Sequence, residues 1–202
     1  MSDQEGTVFL IDDDLGVRDS LSLLHSLKGI RTQLFATAES FLDAYRVEWS
    51  GCVLTDLRMP GMTGLELQSA LRERQVDLPV VVLTAHGDVA TVRAALKNGA
   101  FDFLEKPVED AMLVDVLQNA LRVDRERRAS ANARSAATGR LERLTAREHE
   151  VLALLAAGRQ NRDIAACLGI SPRTVEVHKA RIMEKLDCHS LAEVIRLSLT
   201  VD

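Results

Sequence analysis

Aromatic residues make up only 3% of the 202-residue chain, with a single Trp and a single Tyr. A stacking platform of the kind that reads single-stranded RNA therefore lacks its raw material. The three cysteines, Cys52, Cys167 and Cys188, are odd in number, widely separated and without CxxC spacing. They fit a reduced cytoplasm with unpaired thiols, and indicate neither a zinc site nor a disulfide framework. No apolar run approaches the ~20 residues that cross a bilayer, so no membrane association is expected. The start, MSDQEGTVFLIDDD, has no basic leader before its short apolar stretch, which speaks against a secretory signal.

What remains is an ordinary globular composition, 47% hydrophobic and 27% charged. The length is generous for one core and comfortable for two small ones. The formal charge of −5 is unevenly spread. Met1 to Leu117 holds 10 basic and 19 acidic residues, whereas Gln118 to Asp202 holds 15 and 11. An acidic front (−9) and a basic back (+4) suggest cations as ligands of the first part and phosphates as ligands of the second.

The front alternates β-branched runs with helical patterns. TVFLI is followed by Val17, Leu21, Leu24 and Leu27/Lys28 at helical spacing; QLFA by a helix carrying Phe41, Leu42 and Tyr45; CVLT by a helix around Leu65 to Arg72. PVVVLT precedes a helix from about Val89 to Asn98 that stops at Gly99, and FDFL precedes a helix from about Asp110. Strands this apolar, each followed by a helix, predict a doubly wound α/β fold with five parallel strands covered on both faces. From 122 to 143 large apolar residues become few and Arg and Ala many, which predicts a linker, helical or loosened. From Leu144 onward only helices are expected, four of them: a capping box at Thr145–Glu148, a short helix Asn161–Leu168 closed by Gly169, a longer one capped by Ser171 with Pro172 in its first turn, and a last opened by Ser190. Domains are thus expected at 1–121 and 144–202. Cys167 and Met183 read as core fillers.

In a doubly wound sheet, ligands gather at the carboxyl ends of the strands. Asp12, Asp13 and Asp14 end the first strand, Asp56 the third and Thr84 the fourth, and Lys106 follows the fifth. Carboxylates converging from two strands suit Mg²⁺ (or Mn²⁺), and a carboxylate beside such a cation can attack a phosphoryl donor. A hydroxyl and an ammonium nearby would bind the phosphoryl oxygens. Singly, each has a plainer reading: Asp14 as a helix cap, Lys106 as a surface lysine, Thr84 as a strand residue, Phe103 as a core aromatic. Their joint order is what carries information.

IDDD, TDLRMPGMTG, LTAHGD and FDFLEKP together resemble the receiver domain of two-component response regulators, over roughly Thr7 to Leu121. The resemblance implies Asp56 as phosphoacceptor, Asp12 and Asp13 as metal-binding acids, the Arg58 carbonyl in the metal shell, Thr84 and Lys106 as phosphate sensors, and Phe103 as the switch aromatic. It also implies a cis Lys106–Pro107 peptide, although bare sequence favours trans. Arg58 and His86 would flank the phosphorus and tune its hydrolysis. A haloacid-dehalogenase-type phosphatase also uses a strand-end Asp with Mg²⁺, but needs a second acid two residues on. Here Asp56 is followed by Leu57 and Arg58. No dedicated enzyme is therefore expected, only slow phosphorylation from small donors and self-dephosphorylation.

In the back part the helices flanking Gly169-Ile170-Ser171 have helix-turn-helix form. Val175, His178/Lys179, Ile182 and Leu186 trace the inward stripe of the second, and Arg173, Glu176, Val177, Ala180, Arg181 and Lys185 its outward side. A helix of this size fits the major groove. LTAREHEVL, NRDIA and SPRTVEVH resemble the output domain of LuxR-type regulators, and RTVEVHKARIMEKL leans to the FixJ subfamily. The resemblance implies that Glu176, Val177 and Ala180 face base edges and that His178 lies near the backbone. Many such relatives carry Lys at the position of Glu176, so their sequence preference does not transfer. Arg173, Thr174, Lys179, Arg181 and Asn161 are candidate phosphate contacts, which position without specifying. Between Leu144 and Asp202 basic and acidic residues balance, 8 against 8, which keeps a protein-docking role open beside DNA binding.

The resemblance implies a switch: a sensor histidine kinase phosphorylates Asp56, Thr84 moves, Phe103 turns inward, and a homodimer forms that places two recognition helices on promoter DNA about one helical turn apart. Recruitment of RNA polymerase and activation would follow. No GxxxxGK[ST] loop intervenes, which argues against regulators that remodel polymerase by hydrolysing ATP.

Overall fold

A computed structural model describes residues 6–85 and 89–201. The chain divides into two compact units, Met1–Arg128 and Ala129–Asp202. In the first, β1 (Thr7–Ile11), α1 (Leu15–Leu27), β2 (Arg31–Phe35), α2 (Ala38–Ala44), β3 (Gly51–Asp56), α3 (Gly64–Glu73), β4 (Val80–Thr84), α4 (Val89–Lys97) and β5 (Asp102–Glu105) alternate, followed by α5 (Asp110–Leu141). The five strands are all parallel, in the order β2-β1-β3-β4-β5.

Strand periodicity divides the core between the two faces of this sheet. Phe9, Ile11, Val53 and Val82 join Phe41, Leu67 and Leu71 on one side. Val8, Leu10, Leu54, Val81 and Leu83 join Leu113 and Leu117 on the other. Successive strand residues point to opposite faces, so two-sided burial requires the continuous apolar runs read in the sequence. The few aromatics are concentrated on the first face, where Trp49 stacks on Phe9 with centroids 4.8 Å apart, and Phe35, Phe41 and Tyr45 close around it.

The first helix departs from its expected stripe. Leu21 and Leu24 pack inward, but Leu27 is 76% exposed and the fully buried side chain of α1 is His25. Helical spacing alone could not separate these: Leu24 and His25 both lie one turn beyond Leu21, and the helix ends at Leu27, before the Lys28–Gly29 turn.

The segment 122–143 is helical as far as Leu141, as the later part of α5. Its first turns are fastened to the first unit by polar bonds. Asp124, 1% exposed, accepts from the Gly51 N–H (2.8 Å), from Arg127 (2.7 Å) and from Arg128 (3.1 Å); Arg128 also donates to the Trp49 carbonyl.

The second unit adds α6 (Ala146–Ala156), α7 (Asn161–Leu168), α8 (Pro172–Leu186) and α9 (Leu191–Leu199) around Val151, Leu155, Ile164, Val175, Ile182, Leu186 and Val194. Thr145 and Glu148 form the expected capping box, Gly169 ends α7 in the left-handed conformation (φ 65°), and Ser171 and Ser190 cap α8 and α9. Two expectations fail. Cys167 is exposed, not in the core: α7 turns Ile164 and Ala165 inward and leaves Cys167 on its solvent side. Lys185 turns inward from the supposed outer side of α8 to meet Glu148 at 2.6 Å.

Candidate functional site

The carboxyl ends of β1 and β3 set Asp12 and Asp56 side by side, since the two strands pair in register from Thr7 opposite Gly51 to Ile11 opposite Thr55. Lys106, just beyond β5, reaches back across the sheet edge. Its Nζ lies 3.0 Å from Asp12 Oδ2 and 2.9 Å from Asp56 Oδ1. Burial works against the ammonium, but the hydrogen bonds and charges of Asp56 and Asp12 outweigh it and raise the Lys106 pKa above the ordinary lysine value. Three residues far apart in sequence thus form one partly buried charge cluster.

Local bonds fix its members. Asp12 is 3% exposed; its Oδ1 accepts from the Asp14 N–H (2.9 Å) and its carbonyl from Arg18 (2.5 Å). The Arg58 N–H donates to Asp56 Oδ2 at 2.7 Å, aiming the carboxylate towards the loop. Thr84 is buried at the end of β4, and its carbonyl accepts from the Lys106 N–H at 2.7 Å. The Lys106–Pro107 peptide is cis. Asp14 caps α1, its carboxylate accepting from the Gly16 and Val17 N–H groups. Asp13 is exposed, and Phe103, in β5, is half-buried against the aromatic side of the core. His86 lies outside the described residues, as does the His-Gly-Asp end of LTAHGD.

The cluster fits a hard divalent cation. Two carboxylates converge from neighbouring strands, which is the number Mg²⁺ takes from protein before waters and phosphate oxygens complete its shell. Among the described residues no three His, Cys, Asp or Glu side chains gather as a metal cluster. Asp12 and Asp56 thus offer oxygen donors alone, with the Lys106 ammonium beside them.

Sequence reading gave no role to Gly64, although it stands eight residues after Asp56 in the quoted motif. A side chain there would collide with the Asp56 carbonyl, so only glycine lets α3 begin against the acid. The loop between them is held by Glu39, which accepts from the Met62 N–H at 2.8 Å, and by the Thr63–Glu66 capping box. That capping box was readable from its T-x-x-E spacing; the Glu39 contact, across a sequence gap, was not.

In the second unit α7 and α8 form the helix pair joined at Gly169–Ser171. Arg173, Glu176, Val177, Ala180 and Arg181 lie on the exposed side of α8, and Val177 is 44% exposed. Thr174 and His178 are partly covered, and Thr174 shares a hydrogen bond with Ser171. Lys179 and Asn161 do not point freely outward. Asn161 donates to Glu176 Oε1, and Lys179 Nζ lies 3.2 Å from the same oxygen.

Residues 8–118 match the family described as response regulator receiver domain, and residues 142–198 that described as bacterial regulatory proteins, luxR family. The transcriptional regulatory protein FixJ of Bradyrhizobium diazoefficiens is 40% identical over 96% of this chain and 95% of its own length. The C4-dicarboxylate transport transcriptional regulatory protein DctR of Rhodobacter capsulatus is 41% identical over 95% of this chain and 98% of its own. Among solved structures, response regulator StyR superposes with a TM-score of 0.85 at 40% identity, covering 96% of this chain and 98% of that one. Full-length FixJ from B. japonicum does so with a TM-score of 0.61, again at 40% identity, covering 97% of each.

Proposed function

The chain belongs to the FixJ-type two-component response regulators, transcription regulators that join a receiver domain to a LuxR-type DNA-binding domain, and from this premise we propose that Asp56 is its phosphoacceptor. The observation that carries the proposal is the bridging of Asp12 and Asp56 by Lys106 at the sheet edge. A sensor histidine kinase supplies the phosphoryl group: an Asp56 carboxylate oxygen bonds to phosphorus as the bond from phosphorus to the histidine nitrogen breaks. Mg²⁺ (or Mn²⁺) would be held by the converging Asp12 and Asp56, with Asp13 and the Arg58 carbonyl in its outer surroundings, and would neutralise charge on the transferred oxygens.

The remaining work falls to the chain itself. Lys106 already faces the Asp56 carboxylate and exchanges that contact for one with a phosphoryl oxygen, a charge-assisted bond. Thr84, buried at the neighbouring strand end, supplies its hydroxyl, and Phe103 follows it inward. The receiver, taken as 1–121, then passes its state through 122–143 to the DNA-binding domain, 144–202. Phosphorylated protein dimerises, binds double-stranded promoter DNA through α8, recruits RNA polymerase and activates transcription in the cytoplasm. Glu176, Val177 and Ala180 face bases; Arg173, Thr174 and Arg181 meet phosphates, and His178 lies near the backbone. Asp56 lacks the second acid of a phosphatase, so turnover is confined to slow self-dephosphorylation.

Sedimentation with Mg²⁺, with and without beryllofluoride, tests the switch. A monomer-to-dimer shift in the wild type that Asp56→Asn abolishes is the expected result. A shift that persists in Asp56→Asn would remove Asp56 from its role.

A further inference from the structure

Glu176 is an acid on the face of α8 read as entering the groove, where every phosphate repels it. Its side chain is 57% exposed, yet it is not left to solvent alone. Asn161, at the start of α7, donates to Oε1, and Lys179, one turn on along α8, lies 3.2 Å from the same atom. Lys179 Nζ also reaches Asn161 Oδ1 at 3.5 Å, which closes a three-membered network across the two helices. The Lys179 side chain is only 19% exposed. Its ammonium is thus occupied within the protein, whereas both donors go to one oxygen of Glu176, Oε1, and the side chain stays exposed.

A carboxylate only accepts hydrogen bonds. On the major-groove edge, guanine offers two acceptors and thymine one, so neither satisfies it. Adenine and cytosine each carry an amino group, but adenine sets its N7 acceptor beside that group, against the carboxylate's charge. Cytosine N4 is the remaining partner.

We propose that Glu176 is the specificity-determining residue of α8 and selects a cytosine N4 amino group, and that Asn161 and Lys179 are positioning residues that hold its carboxylate in place and make no phosphate contact. This rests on the reading of α8 as the groove helix. Two consequences separate it from a merely structural network. Substituting Lys179 alters base preference and leaves salt dependence alone, because a residue that neutralises no phosphate releases no counterion. Substituting Glu176 by Gln, which pairs with adenine N6 and N7, redirects the preference instead of abolishing binding.

The test uses the full chain with Mg²⁺ and beryllofluoride, selecting from a random double-stranded DNA library. One cytosine position per half-site is expected, at which exchange of C·G for T·A weakens wild-type binding about tenfold. Glu176→Gln should enrich adenine at that position and leave the others unchanged. Lys179→Met and Asn161→Ala should level the position, with the slope of log affinity against log salt unmoved. Arg173→Ala serves as the phosphate-contact control and should lower that slope by about one with base preference intact. An unchanged cytosine preference in Glu176→Gln, or a slope reduced by about one in Lys179→Met with cytosine still preferred, overturns the inference while leaving DNA binding in place. Enrichment of no sequence by the wild type would instead overturn the DNA-binding reading on which it rests.

Discussion

Glu148 sits under the start of α6 with 3% of its surface exposed, and its Oε2 accepts from the Thr145 N–H, the Thr145 hydroxyl and Lys185. Burial alone would raise its pKa, but these donors more than reverse that and hold it at about 2. A carboxylate depressed in the folded state contributes stability that is complete above its ordinary value of 4.5 and is lost as pH falls towards about 2. Glu148→Gln should therefore cost on the order of 2 kcal/mol at pH 7, and calorimetric unfolding of mutant and wild type should draw together below pH 4.5 and converge only as pH approaches about 2. His25 answers to a higher window. Burial lowers it to about 4; its Nδ1 shares a hydrogen bond with Thr32 and its Nε2 has no partner among the described residues. A histidine kept neutral by folding leaves stability intact above pH 6.5 and erodes it as pH falls towards about 4, by roughly 2 kcal/mol. Unfolding of the first unit followed by Trp49 fluorescence should show this slope in the wild type and lose it in His25→Gln. A wild-type stability flat from pH 6.5 to 4.5 would show that His25 titrates as it does in the unfolded chain.

The long helix α5 explains why some of the structure was legible and some was not. Strand runs, glycine stops and T-x-x-E caps are local, so five strands and the capped helices could be read directly; the motif order also placed Asp12, Asp56, Thr84 and Lys106 at one edge. Asp124 belongs to no such pattern. It lies in a stretch read as linker because large apolar residues run out there, yet it is buried by bonds to Gly51, Arg127 and Arg128, and Arg127 reaches Asp77 at 2.5 Å. Polar fastening of this kind depends on partners more than 70 residues away in sequence and leaves no hydrophobic period behind it. The same holds for Lys185, outward by periodicity and inward by its partner Glu148. If this fastening ends the first unit, Asp124→Ala should destabilise it by about 2–3 kcal/mol, since Gly51 loses its buried acceptor and both arginines their countercharge. Urea unfolding monitored at Trp49, whose carbonyl accepts from Arg128, measures that loss. Wild-type stability in Asp124→Ala would mean that apolar packing of Leu113 and Leu117 alone seats the helix.

For the whole molecule, charge balance limits how it can hold DNA. The chain carries −5 overall, and from Leu144 to Asp202 acids and bases are equal, so net charge gives this part no general attraction to DNA. Lys179 is engaged by Glu176, and Lys185 by Glu148, which leaves Arg173 and Arg181 as the cations of α8 turned outward. Two phosphates neutralised per unit correspond to a salt slope of about −2, and a dimer with both helices engaged to about −4. Anisotropy titrations from 50 to 200 mM KCl, on a duplex recovered by selection, should therefore steepen about twofold on beryllofluoride addition, and Asp56→Asn should stay at the shallow value. With Glu176, Val177 and Ala180 proposed to face the bases, affinity that low in electrostatic content should fall off quickly on unrelated sequences. A slope already near −4 without the activator, unchanged on adding it, would mean that both helices engage DNA regardless of Asp56, and phosphorylation would then have to act after binding.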